Sequence, residues 1–206
     1  MSGEPTQRTQ AERRDATRAA LVAAARPLFA ERGYADVGTE EIVRAAGVTR
    51  GALYHHFAGK EDLFLAVFEH VEDELLEQIG ARVVASAANS PLAALGAGIE
   101  QMLDLAADPG FAQIALIDAP AVLGWQQWRE VGWRYGMGLT EQVLGAAVEA
   151  GEITEQPLRP LAHALLGALD EAVLYVARAE DQRRAHTEMT AVLASMLGGL
   201  RAAPEA

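Results

Sequence analysis

The sequence predicts an all-α protein with a small N-terminal helical domain, a long connecting helix and a larger helical domain. Three observations indicate this class. Apolar residues recur at steps of three and four, no segment alternates polar and apolar residues as a strand does, and glycine or proline separates the helical stretches. We expect a disordered arm over residues 1–10, a first domain over 11–60 and a second over 61–206.

The bulk composition predicts a globular chain without membrane association. Half of the 206 residues are hydrophobic and 22% are charged, which is typical of folded domains. The absence of cysteine excludes disulfides and thiolate metal sites. We find no apolar run of the roughly 18 residues needed to cross a bilayer, and no signal peptide. We therefore expect a cytoplasmic protein.

Charge is distributed unevenly along the chain. The net charge is −12, yet residues 1–60 carry nine Lys and Arg against seven Asp and Glu, whereas residues 61–206 carry eight against twenty-two. Salt screens charges beyond about 8–10 Å, so a local basic surface can still attract phosphate. Any cationic surface is therefore expected on the first domain.

The first helix is predicted from about Ala11 to Arg32. Its apolar residues lie at helical spacing and it ends before Gly33. Pro27 removes one backbone hydrogen bond inside this helix, which predicts a kink.

Residues 39–57, TEEIVRAAGVTRGALYHHF, predict two short helices joined by a tight turn. Thr39 is expected to cap the first helix, Gly47 permits the turn, and Thr49 caps the second helix, which begins at Arg50. This is the pattern of a helix-turn-helix, whose second helix enters a DNA major groove. The alternative is a helical hairpin with a purely structural role.

Candidate DNA contacts lie on the exposed faces of these helices. Arg50, Thr49 and His55 are placed to read base edges. A second group would hold phosphates and set the register of the helix on the duplex: Tyr54, Thr39 and Lys60. The remaining candidates are Arg14, Arg18, Arg44 and Gly51. Arg14 and Arg18 could equally form a solvated helix face.

With its flanks, this segment resembles the N-terminal domain of the TetR family of bacterial transcriptional regulators. The resemblance covers residues 12–68 and is carried by LFAERGY, T-x-x-I-x-x-x-A-G-V, GALYHHF and KEDL. It implies a homodimer that binds double-stranded operator DNA and represses transcription until a small-molecule effector releases it. The rest of the chain carries no such motif, as the resemblance implies for a family whose ligand-binding halves diverge.

The second domain is predicted to consist of helices alone. A helix of about 25 residues starts near Leu63 and links the domains, and a short helix, FAQIALI, is expected to end before a cap at Asp118. The remaining helices are predicted over residues 91–107, 121–150, 157–179 and 183–200.

An aromatic cluster marks the candidate ligand site in this domain. Trp125, Trp128 and Tyr135 fall on one helical face, and Phe111 and Met102 are expected nearby. Aromatic side chains with a polar end suit an apolar pocket. The cluster could instead simply fill the core.

The last two helices carry apolar stripes that predict a two-fold, four-helix dimer interface, with packing inside one chain as the alternative. The candidate interface residues are Leu161, Leu165, Ala168, Leu169, Val192 and Met196.

No catalytic function is predicted. The sequence contains no metal-ligand spacing, nucleophile motif or phosphate-binding loop, so we expect neither metal nor cofactor. The competing class is a helical interaction or ligand-sequestering protein whose helix-turn-helix is only structural.

Overall fold

The computed structural model describes residues 9–87 and 90–202, and over these ranges it confirms the all-α class. The helices are α1 (Gln10–Arg32), α2 (Thr39–Ala45), α3 (Arg50–His56), α4 (Lys60–Ala87), α5 (Pro91–Ala106), α6 (Pro109–Leu123), α7 (Trp125–Glu149), α8 (Leu158–Arg178) and α9 (Gln182–Gly198). Most of the predicted arm, residues 1–8, lies outside the described residues.

Helix α1 begins one residue earlier than predicted because Thr9 and Glu12 form a reciprocal cap. The Thr9 hydroxyl accepts a hydrogen bond from the Glu12 backbone N–H at 3.2 Å, and the Thr9 N–H donates to Glu12 Oε2 at 2.7 Å. Such a capping box satisfies two backbone donors at the helix start. The helix continues through Pro27.

The helix-turn-helix forms as predicted except at its first cap. Gly47 adopts φ +66° at the turn, and Thr49 Oγ1 accepts from the Ala52 N–H at 3.2 Å. The predicted Thr39 cap is wrong. Gly38 holds the extended backbone of the cap position, so Thr39 is already the first helical residue, and no side chain caps α2.

The first domain closes around large apolar side chains from α1 to α4. Leu21, Phe29, Ile42, Leu53 and Phe64 are all fully buried. Burial of each such side chain contributes about 1.5–3 kcal/mol. This core fixes the orientation of α2 and α3.

The predicted break at Asp118 is wrong, because α6 runs on to Leu123. Its middle part, Ala112–Asp118, is π-helical, and the chain breaks instead at Gly124, where φ is +81°. Asp118 Oδ2 accepts the backbone N–H of Tyr34 at 2.7 Å and so ties α6 to the end of α1. At Gly33, φ is +78° and a Cβ would lie 3.0 Å from the Gln113 side-chain nitrogen, so the close approach requires glycine.

In the second domain α5 and α7 pack against the long helix α4, and α8 and α9 pack in turn against α5 and against each other. At Gly136 an added Cβ would lie 3.2 Å from Leu166 Cδ2, which shows how closely α7 approaches α8. Of the described helices, α8 alone is long and apolar enough to cross a membrane by length and composition. This is a weak indication, because core helices of soluble proteins have the same character.

Candidate DNA-binding surface and ligand cavity

Helix α3 presents one face to the core and the opposite face to solvent. Leu53 and Phe57 are buried, whereas Arg50, Tyr54 and His55 are exposed. The Tyr54 side chain is about half-exposed. The outer face of α3 thus offers a cation, a phenol and an imidazole to an approaching duplex.

Arg50 is held in place by partners that DNA can replace. Its Nη1 donates to Glu40 Oε1 at 2.8 Å, and its guanidinium lies 5.6 Å from the centroid of the Tyr54 ring. Both members of the ion pair are more than 60% exposed. Exposed pairs contribute about 0–1 kcal/mol, so Arg50 can exchange Glu40 for a base or phosphate at little cost.

Arg14 and Arg18 lie beside the end of α3, where they line an open groove with His55 and His56. The Arg18 guanidinium stacks 5.1 Å from the centroid of the Phe57 ring. Burial, followed by the charges of His55, Arg14 and Arg18, lowers the pKa of His56. The structure therefore brings these arginines to the same surface as α3. The sequence did not indicate His56 as part of this surface.

The other candidates on the first domain differ in accessibility. Arg44, Thr49 and Gly51 are exposed, while Thr39 is half-buried at the start of α2. Because the Thr49 hydroxyl already accepts the capping hydrogen bond, only its remaining donor and lone pair are free for a base or phosphate.

Lys60, the first residue of α4, makes contacts within the first domain that the sequence did not indicate. Its Nζ donates to the carbonyl oxygens of Tyr34 at 2.7 Å and Val37 at 3.0 Å, and it lies 4.0 Å from the centroid of the Tyr34 ring. Burial lowers the pKa of Lys60, against the opposing charges of Asp118 and Asp36. The ammonium thus ties the start of α4 to the turn after α1 with two of its three donors, and the phosphate contact expected for Lys60 stays a prediction.

Arg32 positions α2, a role that the sequence did not reveal. It donates to both carboxylate oxygens of Glu41, at 2.8 and 2.7 Å, and to the Asp36 carbonyl at 2.7 Å. The hydrogen bond from Arg32 lowers the pKa of Glu41. This bidentate ion pair between Arg32 and Glu41 holds α2, the first helix of the motif, against the end of α1.

A cavity of about 80 Å³ lies between α4, α5, α6, α7 and α8. Four of the five predicted residues line it, namely Met102, Phe111, Trp128 and Tyr135. Trp125 does not line it. Although its ring centroid lies 4.8 Å from that of Trp128, its side chain is 46% exposed at the first turn of α7.

One end of the cavity is lined by the ionisable side chains of Glu72, Arg129 and Asp170, which the sequence analysis did not single out. Glu72 is only 7% exposed, and no donor among the described residues hydrogen-bonds its carboxylate. Arg129 Nε lies 3.4 Å from Asp170 Oδ2, but these two atoms and Trp133 Nε1 are buried without a hydrogen bond to any described residue. Such groups are costly to bury unsatisfied, so they indicate a place where a ligand's polar atoms would be stabilised.

Burial shifts both acids at this end toward their neutral forms. It raises the pKa of Glu72 to about 8, with further upward contributions from Asp170 and Asp73. It raises the pKa of Asp170 to about 6, although Arg129 acts in the opposite direction.

Helical spacing contains the signal for these acids. Glu72 follows Phe68 by four residues and precedes Leu75 by three, so it lies on the buried face of α4. Asp170 has the same relation to Leu166 and Val173 on α8. A lone acid on an apolar helix face therefore marks the site.

A second cavity of about 80 Å³ adjoins the first. The shared lining residues are Leu76, Ile79, Gly136, Leu166 and Leu169. Beyond them its walls are almost entirely aliphatic, and the hydroxyl of Thr140 is bonded to the Gly136 carbonyl. Together the two cavities have one charged, aromatic end and one aliphatic end.

The predicted dimer stripe divides into inward- and outward-facing residues. Leu169 lines both cavities, and Leu161 and Leu165 are half-buried against the chain's own core, so their part in a dimer interface stays a prediction. By contrast, Val192 and Met196 are about half-exposed on α9. Half-buried Ala168 and exposed Tyr175 lie on α8.

Over residues 9–87 and 90–202, no three His, Asp or Glu side chains are grouped as a metal site would require.

Comparison with known families and proteins gives matches along most of the chain. The family model described as bacterial regulatory proteins, tetR family, matches residues 21–67, and the tetracyclin repressor-like C-terminal domain matches residues 92–200. The HTH-type transcriptional regulator CymR of Pseudomonas putida is 40% identical over 104 residues. That match covers 50% of this chain and 48% of CymR, so the chain spans about half the length of that relative.

Solved structures agree over nearly the full length. A TetR-family transcriptional regulator from Pectobacterium atrosepticum is 32% identical, with a TM-score of 0.84, and the match covers 96% of this chain and all of that one. RolR in complex with resorcinol has a TM-score of 0.73 at 23% identity, covering 92% of this chain and 91% of RolR, which is a likeness of fold. The matched families and relatives are transcription regulators.

Proposed function

Since the chain belongs to the TetR family of bacterial transcriptional regulators, we propose that it is a repressor that leaves its operator when a small molecule occupies the cavity. A DNA-binding transcriptional regulator is what the family establishes. Repression, the effector and the contact residues are our proposal. The observation that carries it is the solvent-facing α3 in the same chain as a cavity with unsatisfied polar groups.

Two copies of the chain would place their α3 helices in successive major grooves, about 34–36 Å apart, on a palindromic operator. Arg50 and His55 would read base edges, and Tyr54, Arg14 and Arg18 would hold the backbone. Arg44, Thr49, Gly51 and Thr39 complete the proposed surface. A merely structural helix-turn-helix is disfavoured because the outer face of α3 is exposed.

The proposed dimer would form through the exposed apolar surface of α8 and α9. Val192, Met196 and Tyr175 are about half-exposed on these two helices and Ala168 is half-buried, so a second copy packed there would cover apolar surface that is now open to water. An interface of this kind would set the distance between the two α3 helices.

Helix α6 offers a physical connection between the cavity and the DNA-binding surface. Phe111 and Leu116 line the cavity, while Asp118 at the end of the π-helical segment accepts the Tyr34 N–H. The Trp128 indole N–H donates to the Ala115 carbonyl at 2.8 Å, so a lining residue of α7 also bonds to this segment. A ligand that favours one arrangement of α6 over another would shift the spacing of the α3 helices.

The test is the affinity for duplex DNA by fluorescence anisotropy, with Arg50→Ala compared with Arg183→Ala. Arg183 is exposed on α9, far along the chain from the motif, and serves as the matched control. Loss of a base-reading arginine should cost about 1–3 kcal/mol on the specific site. Arg183→Ala should bind as wild type. Equal affinities for both variants would refute the proposed surface, and equal losses on specific and random duplexes would reduce Arg50 to a phosphate contact.

A further inference from the structure

We propose that the effector is a small organic monocation with an apolar tail, whose charged head lies against Glu72 and Asp170 and whose tail enters the aliphatic cavity. The inference deepens the proposed function and rests on it only for the consequence at DNA. The ligand class itself follows from the lining of the two cavities.

The first argument is the unpartnered Glu72. Its carboxylate is more than nine-tenths buried, lines the cavity and accepts no hydrogen bond from any described residue. A buried carboxylate without donors is unfavourable, and a ligand that supplies donors and positive charge relieves that cost most fully.

The second argument is the balance of charge. The lining contains two carboxylates, Glu72 and Asp170, and one guanidinium, that of Arg129. Arg129 is already engaged, since it lies 3.4 Å from Asp170 and its guanidinium is 4.1 Å from the centroid of the Trp133 ring. An anionic effector would bring a further negative charge beside these acids, whereas a monocation would stabilise the ionised form of Glu72, which burial disfavours in the empty cavity.

The third argument is the aromatic wall beside these acids. Phe111, Trp128, Trp133 and Tyr135 all line the same cavity. Aromatic faces attract cations, and they do so more strongly where water is excluded. The same walls give a neutral ligand only its apolar contact.

The aliphatic lining of the second cavity indicates where the apolar tail of the ligand would lie. Leu76 and Ile79 of α4 and Leu166 and Leu169 of α8 line both cavities, so the two spaces adjoin along these side chains and the proposed tail would extend from the first toward the second. Each methylene buried there should tighten binding about fourfold.

Binding of a cation should release a proton. Burial raises the pKa of Glu72 to about 8, so near neutral pH this group is largely protonated, and a cationic head favours its ionised form. The charged and titratable groups facing it are Asp170 and Arg129, with Asp73 and Tyr135 close by. Helices α5 and α6 contribute only uncharged side chains to the lining, those of Met102, Phe111 and Leu116. Affinity for the cation should therefore rise between pH 6 and 8, by up to about tenfold per pH unit.

The test is titration of the full chain with n-hexylamine, 1-hexanol and hexanoate, which share one tail and differ in head charge. Binding is followed by calorimetry in buffers of different ionisation enthalpy and by fluorescence of the cavity tryptophans. We expect the ammonium to bind at least about tenfold more tightly than the alcohol and hexanoate to bind most weakly, with proton release only for the amine. Hexylamine should also bind more tightly than propylamine.

Two variants test whether Glu72 is the group that recognises the ammonium. Glu72→Gln should remove the preference for the ammonium over the alcohol and the proton release, whereas Glu77→Gln, an exposed acid on the same helix, should change neither. Equal or weaker binding of hexylamine relative to hexanol, or a preference that survives Glu72→Gln, would overturn the ligand class. Hexylamine that binds in this way but leaves DNA affinity unchanged would support the ligand class and refute the proposed release from the operator.

Discussion

Replacing Glu72 with glutamine should change how stability depends on pH. Burial raises the pKa of Glu72 from 4.5 to about 8, so the folded chain keeps a proton that the unfolded chain loses. The associated stabilisation is complete below pH 4.5 and is lost as the pH rises through 8. Glutamine has nearly the same shape and does not titrate, so Glu72→Gln should lack this loss.

The size of the expected change in unfolding free energy follows from the two pKa values of Glu72, which are 4.5 in the unfolded chain and about 8 in the folded one. Between pH 5 and pH 7 the wild type should lose about 2–3 kcal/mol of unfolding free energy more than Glu72→Gln, given 1.36 kcal/mol per pKa unit. Asp170, whose pKa is raised to about 6, contributes a loss of the same sign to both proteins and largely cancels in the difference.

The assay is urea unfolding followed by circular dichroism at several pH values and one fixed protein concentration, because dimerisation couples stability to concentration. Glu77→Gln is the control and should follow the wild type. Parallel stability curves for wild type and Glu72→Gln would refute the buried, unpartnered state of this acid.

Three further substitutions test separate parts of the account. Thr49→Ala should lower the free energy of unfolding by about 0.5–2 kcal/mol through loss of the α3 cap, with Thr49→Ser close to wild type in the same urea assay. Lys60→Met should destabilise the fold by about 1–3 kcal/mol while leaving the salt dependence of DNA binding unchanged. A salt slope reduced by about 0.9 per subunit would instead make Lys60 a phosphate contact. Val192→Glu should convert the dimer to monomer in analytical ultracentrifugation, whereas Ala146→Glu, on exposed surface of α7, should not; a dimer that survives Val192→Glu would place the interface elsewhere.

The helix-turn-helix was predictable because local rules determine it. Gly47 must supply a positive φ, Thr49 caps with its own hydroxyl, and Leu53 and Phe57 follow the helical period. The one error there, at Thr39, arose because the preceding Gly38 can also hold a cap conformation.

The second domain was less predictable because tertiary contacts override local signals. Asp118 and Pro120 have the pattern of a helix start, yet α6 continues through both, and Asp118 bonds to Tyr34, 84 residues away in sequence. Lys60 likewise donates to the carbonyl oxygens of Tyr34 and Val37, a pair of contacts that its position in the sequence did not reveal. Periodicity alone does not specify such long-range partners.

The aromatic side of the cavity was predicted, but its charged side was not. Trp128 and Tyr135 could be placed on one face by counting, whereas the importance of Glu72 and Asp170 depends on α4 and α8 lining the same cavity. That arrangement depends on packing, including the close approach of Gly136 on α7 to Leu166 on α8. An acid within an apolar stripe is the sequence feature to examine in such helices.

Whether two copies of α3 read a palindromic operator can be measured by selecting binding sites from a random pool of duplexes. The wild-type chain should enrich a palindrome whose half-sites are centred about one helical turn, or a multiple of it, apart. Arg50→Ala should lose the enrichment while Arg183→Ala keeps it. Enrichment of no sequence by the wild-type chain, or of a sequence without two-fold symmetry, would show that two α3 helices do not read the DNA together.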